Sequence, residues 1–292
     1  MDNINWMALS GQLVVGMING SFYALLSLGL AVIFGLLRVA NFAHGALFML
    51  GAFTALLLQR YLNIGYWPAL ILSPIIVGVV GIAFERLMLS RIYHLHHLYG
   101  MLLTFGFALV IQGTLLDIYG SSGAPYPPPA TLRGGLDLDF MFIPIYRLWV
   151  IAAAIVVCTA TWIVIEKTKL GSYLRAATEN PELLKTFGVN VPVLLTATYG
   201  AGVALAAFAG VMAAPIYQVS PMMGADIIIV VFAVVVAGGM GSIPGAIFTG
   251  FGLGLVEGLV KVVYPEAANS VIFAVMALVL LFRPAGLFGK DA

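Results

Sequence analysis

The residues able to do chemistry are few, and they fall in four places. "GSYLRAATENPELLKTFGVNVP", 171–192, holds Arg175, Glu179, Glu182 and Lys185 within eleven positions. "YHLHHLYG" brings His94, His96 and His97 together. "RVANFAHGALFML", 38–50, sets Asn41 three residues before His44. Glu257 precedes Lys261 by one helical turn. Three close imidazoles have the donor chemistry of a metal site. Membrane di-iron enzymes need several such clusters, however, and here there is one plus the lone His44. Read instead as a cationic loop, the cluster needs no metal. Glu257 and Lys261 stand in the favourable order for an i,i+4 pair, with Lys261 long enough to snorkel to an outer face. No G-x-x-x-x-G-K-[ST] phosphate loop and no G-x-S-x-G nucleophile elbow occurs, so nothing here binds ATP or cleaves esters in those ways.

The elements that must position these residues are apolar. Of 292 residues, 62% are hydrophobic and 9% charged, whereas soluble domains carry about 25% charge. The composition is that of an integral membrane protein. The net charge of +1 implies no nucleic-acid partner. The single cysteine, Cys158, lies in an apolar run and has no intrachain partner for a disulfide. The first ten residues contain Asp2 and no basic residue, so the first apolar stretch does not read as a cleaved signal.

Gaps between charges mark the spans. A crossing helix needs about 20 apolar residues, which predicts helices near 11–36, 42–59, 66–84, 99–118, 147–165, 193–213, 244–263 and 268–282. The stretch 227–256 is too long for one span, about 45 Å as a helix. It contains "GGMGSIPG", 238–245, which predicts a short helix, a break and a full span. The break reads either as a tight turn at the membrane surface or as irregular backbone beside a pathway. The fold class is therefore an all-α, polytopic membrane bundle of about nine spans (eight to ten), in one domain, 1–292.

With the N-terminus outside and nine crossings, Arg38, Arg86, Arg91, Lys167, Lys169, Arg175, Lys185, Arg283 and Lys290 fall inside. Arg60, Arg133, Arg147 and Lys261 fall outside. That asymmetry supports the orientation. It puts the Pro- and Gly-rich loop 120–143 outside, as a cap or docking surface without regular helix. It puts 166–192 inside.

The inner segment is punctuated for two short helices. Asn180 is an N-cap with Pro181 at the first helical position. Glu182 suits the positive end of the helix dipole, and Gly188 suits a left-handed C-cap. Leu183, Leu184 and Phe187 are expected on one side of the second helix. Leu170, Tyr173, Leu174 and Ala177 make a stripe on the first. Periodicity leaves two uses open: lying at the lipid interface or docking in a partner's groove. Upstream, Asn41 is expected to cap the helix that follows it and Gly45 to allow close packing. The Asn41–His44 pair reads either as a plain junction or as polar groups near a permeation route.

The segment "GSYLRAATENPELLKTFGVNV" resembles the cytoplasmic signature of the permease subunits of branched-chain (hydrophobic) amino acid ABC importers. "NGSFYALLSLGLAVIFGLLRVANFAHGALFMLGAF" (19–53), "LTFGFALVIQG" (103–113) and "AGGMGSIPGAIFTG" (237–250) match the same family in the same order. The chain resembles the shorter of that family's two paired permeases. The resemblance implies a multi-pass protein of the bacterial inner membrane, N-terminus periplasmic and C-terminus cytoplasmic. It implies a second permease subunit, two ABC ATPases that use the ATP and Mg, and a periplasmic binding protein. No cofactor or metal is then bound by this chain, and it is not itself an enzyme. The same resemblance makes 171–188 the coupling segment, with Tyr173, Arg175, Ala176, Ala177, Asn180, Pro181, Glu182 and Gly188 as its contact and capping residues. Candidate pathway residues are Asn19, Asn41, His44, Gly238, Gly239 and Gly241. Hydrophobic amino acids are the cargo class expected on family frequency. Urea, short amides and aromatic acids are the family's alternatives. An ion-coupled secondary transporter is the rival class.

Overall fold

In the computed structural model, residues 6–37, 40–138 and 141–289 are described. Arg38 and Lys290, both counted in the inner set above, lie outside them. Eleven α-helices dominate the described residues. We label them α1 (Trp6–Leu37), α2 (His44–Leu62), α3 (Tyr66–Leu87), α4 (His97–Tyr119), α5 (Ile145–Lys167), α6 (Lys169–Glu179), α7 (Pro181–Thr186), α8 (Val191–Ala213), α9 (Met223–Gly238), α10 (Ile243–Val263) and α11 (Ala268–Phe282). Eight helical segments are long and apolar enough to cross a membrane, the last being Pro265–Phe282, which adds a short 3-10 turn to α11. α9 has 16 residues, about 24 Å of helix, and is the shorter ninth. The helical membrane bundle expected from composition is thus the observed fold.

Helices α1, α2, α3, α8, α9 and α10 form the packed centre. The tightest pair is α1 with α10, and small residues make it so. A Cβ on Gly20 would meet the Phe251 backbone at 3.0 Å, and one on Gly250 the Ala24 backbone at 2.6 Å. In hydrocarbon there is little hydrophobic drive between helices, so such close backbone contact supplies the attraction. These contacts run Gly16 to Gly254 and Gly35 to Gly241, so the two helices are antiparallel. α3 and α8 are antiparallel too: Glu85 meets Thr196 at one end, and Tyr146 bonds both Tyr66 and Met212 at the other.

These pairings put α6, α7, the α9–α10 turn and residues 283–289 at one end of the bundle. The loop 120–144, Tyr217 and the start of α1 lie at the other. Arg86, Arg91, Lys167, Lys169, Arg175, Lys185 and Arg283 gather at the first end. Arg60, Arg133, Arg147 and Lys261 gather at the second.

The loop 120–144 contains what its sequence reading missed, a two-stranded hairpin, β1 (Gly135–Leu138) and β2 (Met141–Pro144), with Leu136 opposite Ile143. Apart from a 3-10 turn at Ala130–Leu132, the rest of its described residues are irregular, as its prolines require, and they fold over the bundle end. Ala124 pairs with Val219, Trp67 Nε1 donates to Thr131 at 3.2 Å, and Tyr126 is buried. Burial holds the Tyr126 phenol protonated and, with the neighbouring Tyr66, pushes its pKa up to about 12.

Candidate functional site

The site begins with α6 and α7. Thr168 Oγ1 accepts from Leu170 N at 3.3 Å and starts α6. Asn180 does two jobs at the junction. Its backbone N–H bonds the Ala176 carbonyl at 2.9 Å to end α6, and its Oδ1 accepts from Leu183 N at 2.9 Å to start α7. Pro181 takes the first helical position. Glu182 in that turn accepts from Lys185 Nζ at 2.7 Å. Gly188, at φ 78°, turns the chain left-handed after α7. Asn190 Oδ1 then accepts from Val193 N at 3.2 Å and opens α8. Isolated helices this short are marginal in water, so caps and packing hold the pair.

The faces differ from the sequence reading in two places. In α6 the buried line is Gly171, Leu174 and Ala177, while Leu170 and Tyr173 are each 41% exposed. A Cβ on Gly171 would fall on the Ile165 carbonyl, so the glycine, not Tyr173, makes the close approach to α5. In α7 only Leu184 is buried, beside Leu174, Ala177 and Val191. Leu183 (55% exposed) and Phe187 (76%) share the outer side. Leu183 and Leu184 are successive residues, about 100° apart around a helix axis, so the packing can take only one of them.

Behind α6 lies a cavity of about 460 Å³, reached by Ala31, Gly35, Glu166, Arg175, Gly241 and Phe288. Arg175 pairs within the chain, Nη1 lying 3.3 Å from Glu166 Oε2. The α9–α10 turn forms the far wall. Gly239 (φ 104°) and Gly241 (φ 83°) have left-handed backbone. The tail after α11 completes α9: Leu287 N bonds the Ala237 carbonyl at 2.9 Å and Phe288 N the Gly238 carbonyl at 3.0 Å. These satisfy helix-end carbonyls that would otherwise lack partners. The sequence reading missed this strap; Gly286, Gly289 and Pro284 after a polar break were its only trace. The glycine break therefore sits at the α6 end of the bundle, as a turn that also lines a cavity.

The candidate pathway residues occupy three separate places. Gly238, Gly239 and Gly241 are in that turn. Asn41 and His44 are buried in the centre. Asn41 does not cap α2. Its Oδ1 accepts from Ala43 N at 3.1 Å, one residue before the helix, and Nδ2 donates to Tyr199 at 3.2 Å. His44 Nε2 lies 3.1 Å from the Leu26 carbonyl, joining α2 to the middle of α1. Gly45 allows close packing as expected, its α-carbon facing the Gly224 carbonyl. Asn19, near the other end, donates to Glu257 Oε1 at 3.1 Å.

Glu257 has more partners than its i,i+4 lysine. It is buried, paired with Lys261, and accepts from Tyr23 at 2.8 Å as well as from Asn19. Tyr217 in turn donates to Asn19 Oδ1 at 2.9 Å. A second buried carboxylate, Glu85, accepts from Tyr93 and Thr196, both at 2.7 Å. Among the described residues no three His, Cys, Asp or Glu converge as metal ligands. His96 instead takes the N-cap position of α4, its Nδ1 accepting from Leu98 N at 3.4 Å.

The chain has relatives among known proteins. Residues 12–281 match the model described as branched-chain amino acid transport system / permease component. The chain is 29% identical to the high-affinity branched-chain amino acid transport system permease protein BraD of Pseudomonas aeruginosa, over 96% of this chain and 95% of that one. It is 28% identical to the corresponding LivH of Escherichia coli K12 over the same shares. To LivM of Salmonella typhimurium it is 27% identical, over 91% of this chain and 67% of that one. Among solved structures, PsaBC from Streptococcus pneumoniae in complex with Fab aligns with 96% of this chain and 91% of that one, at TM-score 0.41 and 14% identity.

Proposed function

The chain belongs to the family of branched-chain amino acid transport system permease components, and from that premise we propose how it works in an ATP-driven importer. It is a multi-pass membrane permease component rather than an enzyme. Its cargo is a hydrophobic amino acid, delivered by a periplasmic binding protein. A second permease completes the pathway, the role suggested by its likeness to both LivH and LivM. Two ABC ATPases supply the ATP and Mg chemistry. The membrane is the bacterial inner membrane, with the 120–144 end periplasmic and the α6–α7 end cytoplasmic.

The observation that carries the coupling role is the α6–α7 pair. It is capped at every junction, anchored by Leu174, Ala177 and Leu184, and offers Tyr173, Leu183 and Phe187 outward. Exposed apolar residues flanked by charges are the composition of a helix seated in a partner's groove. Gly35 and the α9–α10 turn share a cavity with α6, so a push on α6 reaches α1, α9 and α10 together. Arg175 steadies α6 against α5 through Glu166. At half exposure that pair is worth at most about 1 kcal/mol, weak enough to be exchanged for a partner carboxylate.

The test is purification of the chain from cells holding the whole operon, followed by vesicle reconstitution. ATP-dependent uptake of L-leucine with a copurifying ABC ATPase is expected. Uptake driven by an ion gradient with no ATPase present would overturn the proposal.

A further inference from the structure

α9 begins inside the bundle rather than at its rim. Its Gly224 abuts Gly45, one residue from the His44 that reaches the Leu26 carbonyl in the middle of α1. Two residues on, in the first turn of α9, stands Asp226, exposed. Its carboxylate has no hydrogen-bond or ion-pair partner among the described residues. An exposed carboxylate without a partner is free to pair a cation that enters beside it. The nearby Glu257 charge is already taken by Lys261, Tyr23 and Asn19.

Asp226 opens into a cavity of about 500 Å³ at the end of the bundle away from α6, with Tyr23, Tyr217, Gln218, Ile227 and Val230 among its walls. It is the one charged residue among those walls. The size is that of a small-molecule site. The composition is specific: one carboxylate at the positive end of a helix, two phenol rings able to face a cation, and an apolar side formed by Ile227 and Val230.

From this juxtaposition we infer that the cavity receives the cargo by its ammonium group, Asp226 pairing the ammonium while Ile227 and Val230 take the aliphatic side chain. The inference rests on the importer reading above and gives its cargo a binding site. A charge-assisted bond to a primary ammonium is roughly twice as strong as a neutral one. A carboxylate pairs an ammonium more strongly than it pairs the neutral N–H of an amide or urea, and it repels a cargo, such as an aromatic acid, that bears a carboxylate and no ammonium. An amine-bearing hydrophobic amino acid satisfies both halves of the cavity.

The experiment uses the reconstituted complex with saturating binding protein and three probes: L-leucine, isobutyramide and phenylacetate. Wild type is expected to accumulate leucine alone. Asp226→Asn is expected to lower leucine uptake at least ten-fold while the second permease and the ATPases still copurify. Asp226→Glu, which keeps the charge, is expected to recover most of it. Leucine uptake by Asp226→Asn equal to wild type overturns the ammonium site and leaves the importer reading intact. ATP-driven uptake of isobutyramide or phenylacetate in place of leucine overturns both the cargo class and the site. Loss of the second permease from the purified Asp226→Asn complex also overturns it, since Asp226 would then be an interface residue.

Discussion

At the scale of single residues, buried charge is where most is at stake. Glu257, itself buried, collects an ammonium, a phenol and an amide near the loop-capped end of the bundle. Removing the shared acceptor strands all three donors. Glu257→Ala should therefore cost on the order of 3 kcal/mol. Lys261, with its side chain 29% exposed, can swing towards water, so Lys261→Met should cost less. Denaturation midpoints of the purified protein in detergent measure both. A Glu257→Ala midpoint equal to wild type would mean that the network contributes nothing. The pairing of Glu257 with Lys261 was legible from spacing alone. The contributions of Tyr23 and Asn19 were not, because they come from another helix some 240 positions away in the chain, and no periodicity carries that. In the sequence Asp226 shows only as a lone acid before the uncharged run 227–256. Its lack of a partner is a property of the packed bundle.

At the scale of elements, caps and turns were the most legible features, since their chemistry is local. Asn180, Pro181 and Gly188 sit where their residue types demand. The gap that separates α9 from α10 follows from Gly239, Gly241 and Pro244. Less legible was which residues face inward on a two-turn helix, where Leu184 won over Leu183. The tail strap was hidden because its bonds join 237–238 to 287–288. Two predictions belong here. A Cβ on Gly239 would stand 2.5 Å from the Gly289 nitrogen, on a backbone already left-handed. Gly239→Ala should thus release the strap and lower the thermal midpoint, whereas Gly252→Ala, where a Cβ meets nothing within 4 Å, should leave it unchanged. Equal midpoints for the two would remove the strap from the account. The second concerns the loop that caps the other end. Tyr126 has its folded pKa raised from 10 to about 12, so its neutral form stabilises the fold fully below pH 10. That contribution should fade as pH rises from about 10 to about 12. The Tyr126 hydroxyl is buried without a partner among the described residues, so Tyr126→Phe should fold normally and show a smaller alkaline loss of stability. Identical pH profiles would place the sensitivity elsewhere.

At the scale of the whole molecule, the small-residue pairing of α1 with α10 joins both ends of the chain into one unit. The spacing Gly250, Gly254, Gly258 was its sequence signal, and it faces Gly16 and Gly20. The α1–α10 unit meets α6 through Gly35 and Gly241 at one end and holds Asn19 and Glu257 at the other, so in the proposed importer it would serve as a lever between the two ends. Its orientation is testable with reporter fusions: residue 130 should report periplasm, and residues 178 and 289 cytoplasm, with the reverse pattern inverting every assignment of partners. The lever also makes a prediction about coupling. Leu183→Asp and Phe187→Asp place charge on the outward side of α7 without touching Leu184, the caps or the buried line of α6. The fold should keep its stability, since both side chains are more than half exposed. A docked apolar contact, by contrast, would lose about 2 kcal/mol or more per side chain on burying a carboxylate. Copurified ATPase should fall by ten-fold or more in the double variant, while membrane insertion and thermal midpoint stay at wild-type values. Gly188→Val tests the same joint through the backbone. A Cβ there meets nothing within 4 Å, so its cost of about 1–2 kcal/mol comes from the left-handed conformation alone. That variant should bind the ATPase yet uncouple hydrolysis from uptake. Wild-type ATPase recovery and wild-type coupling in all of these variants would make α6 and α7 a pair of interfacial helices, and would move the drive for transport to another part of the bundle.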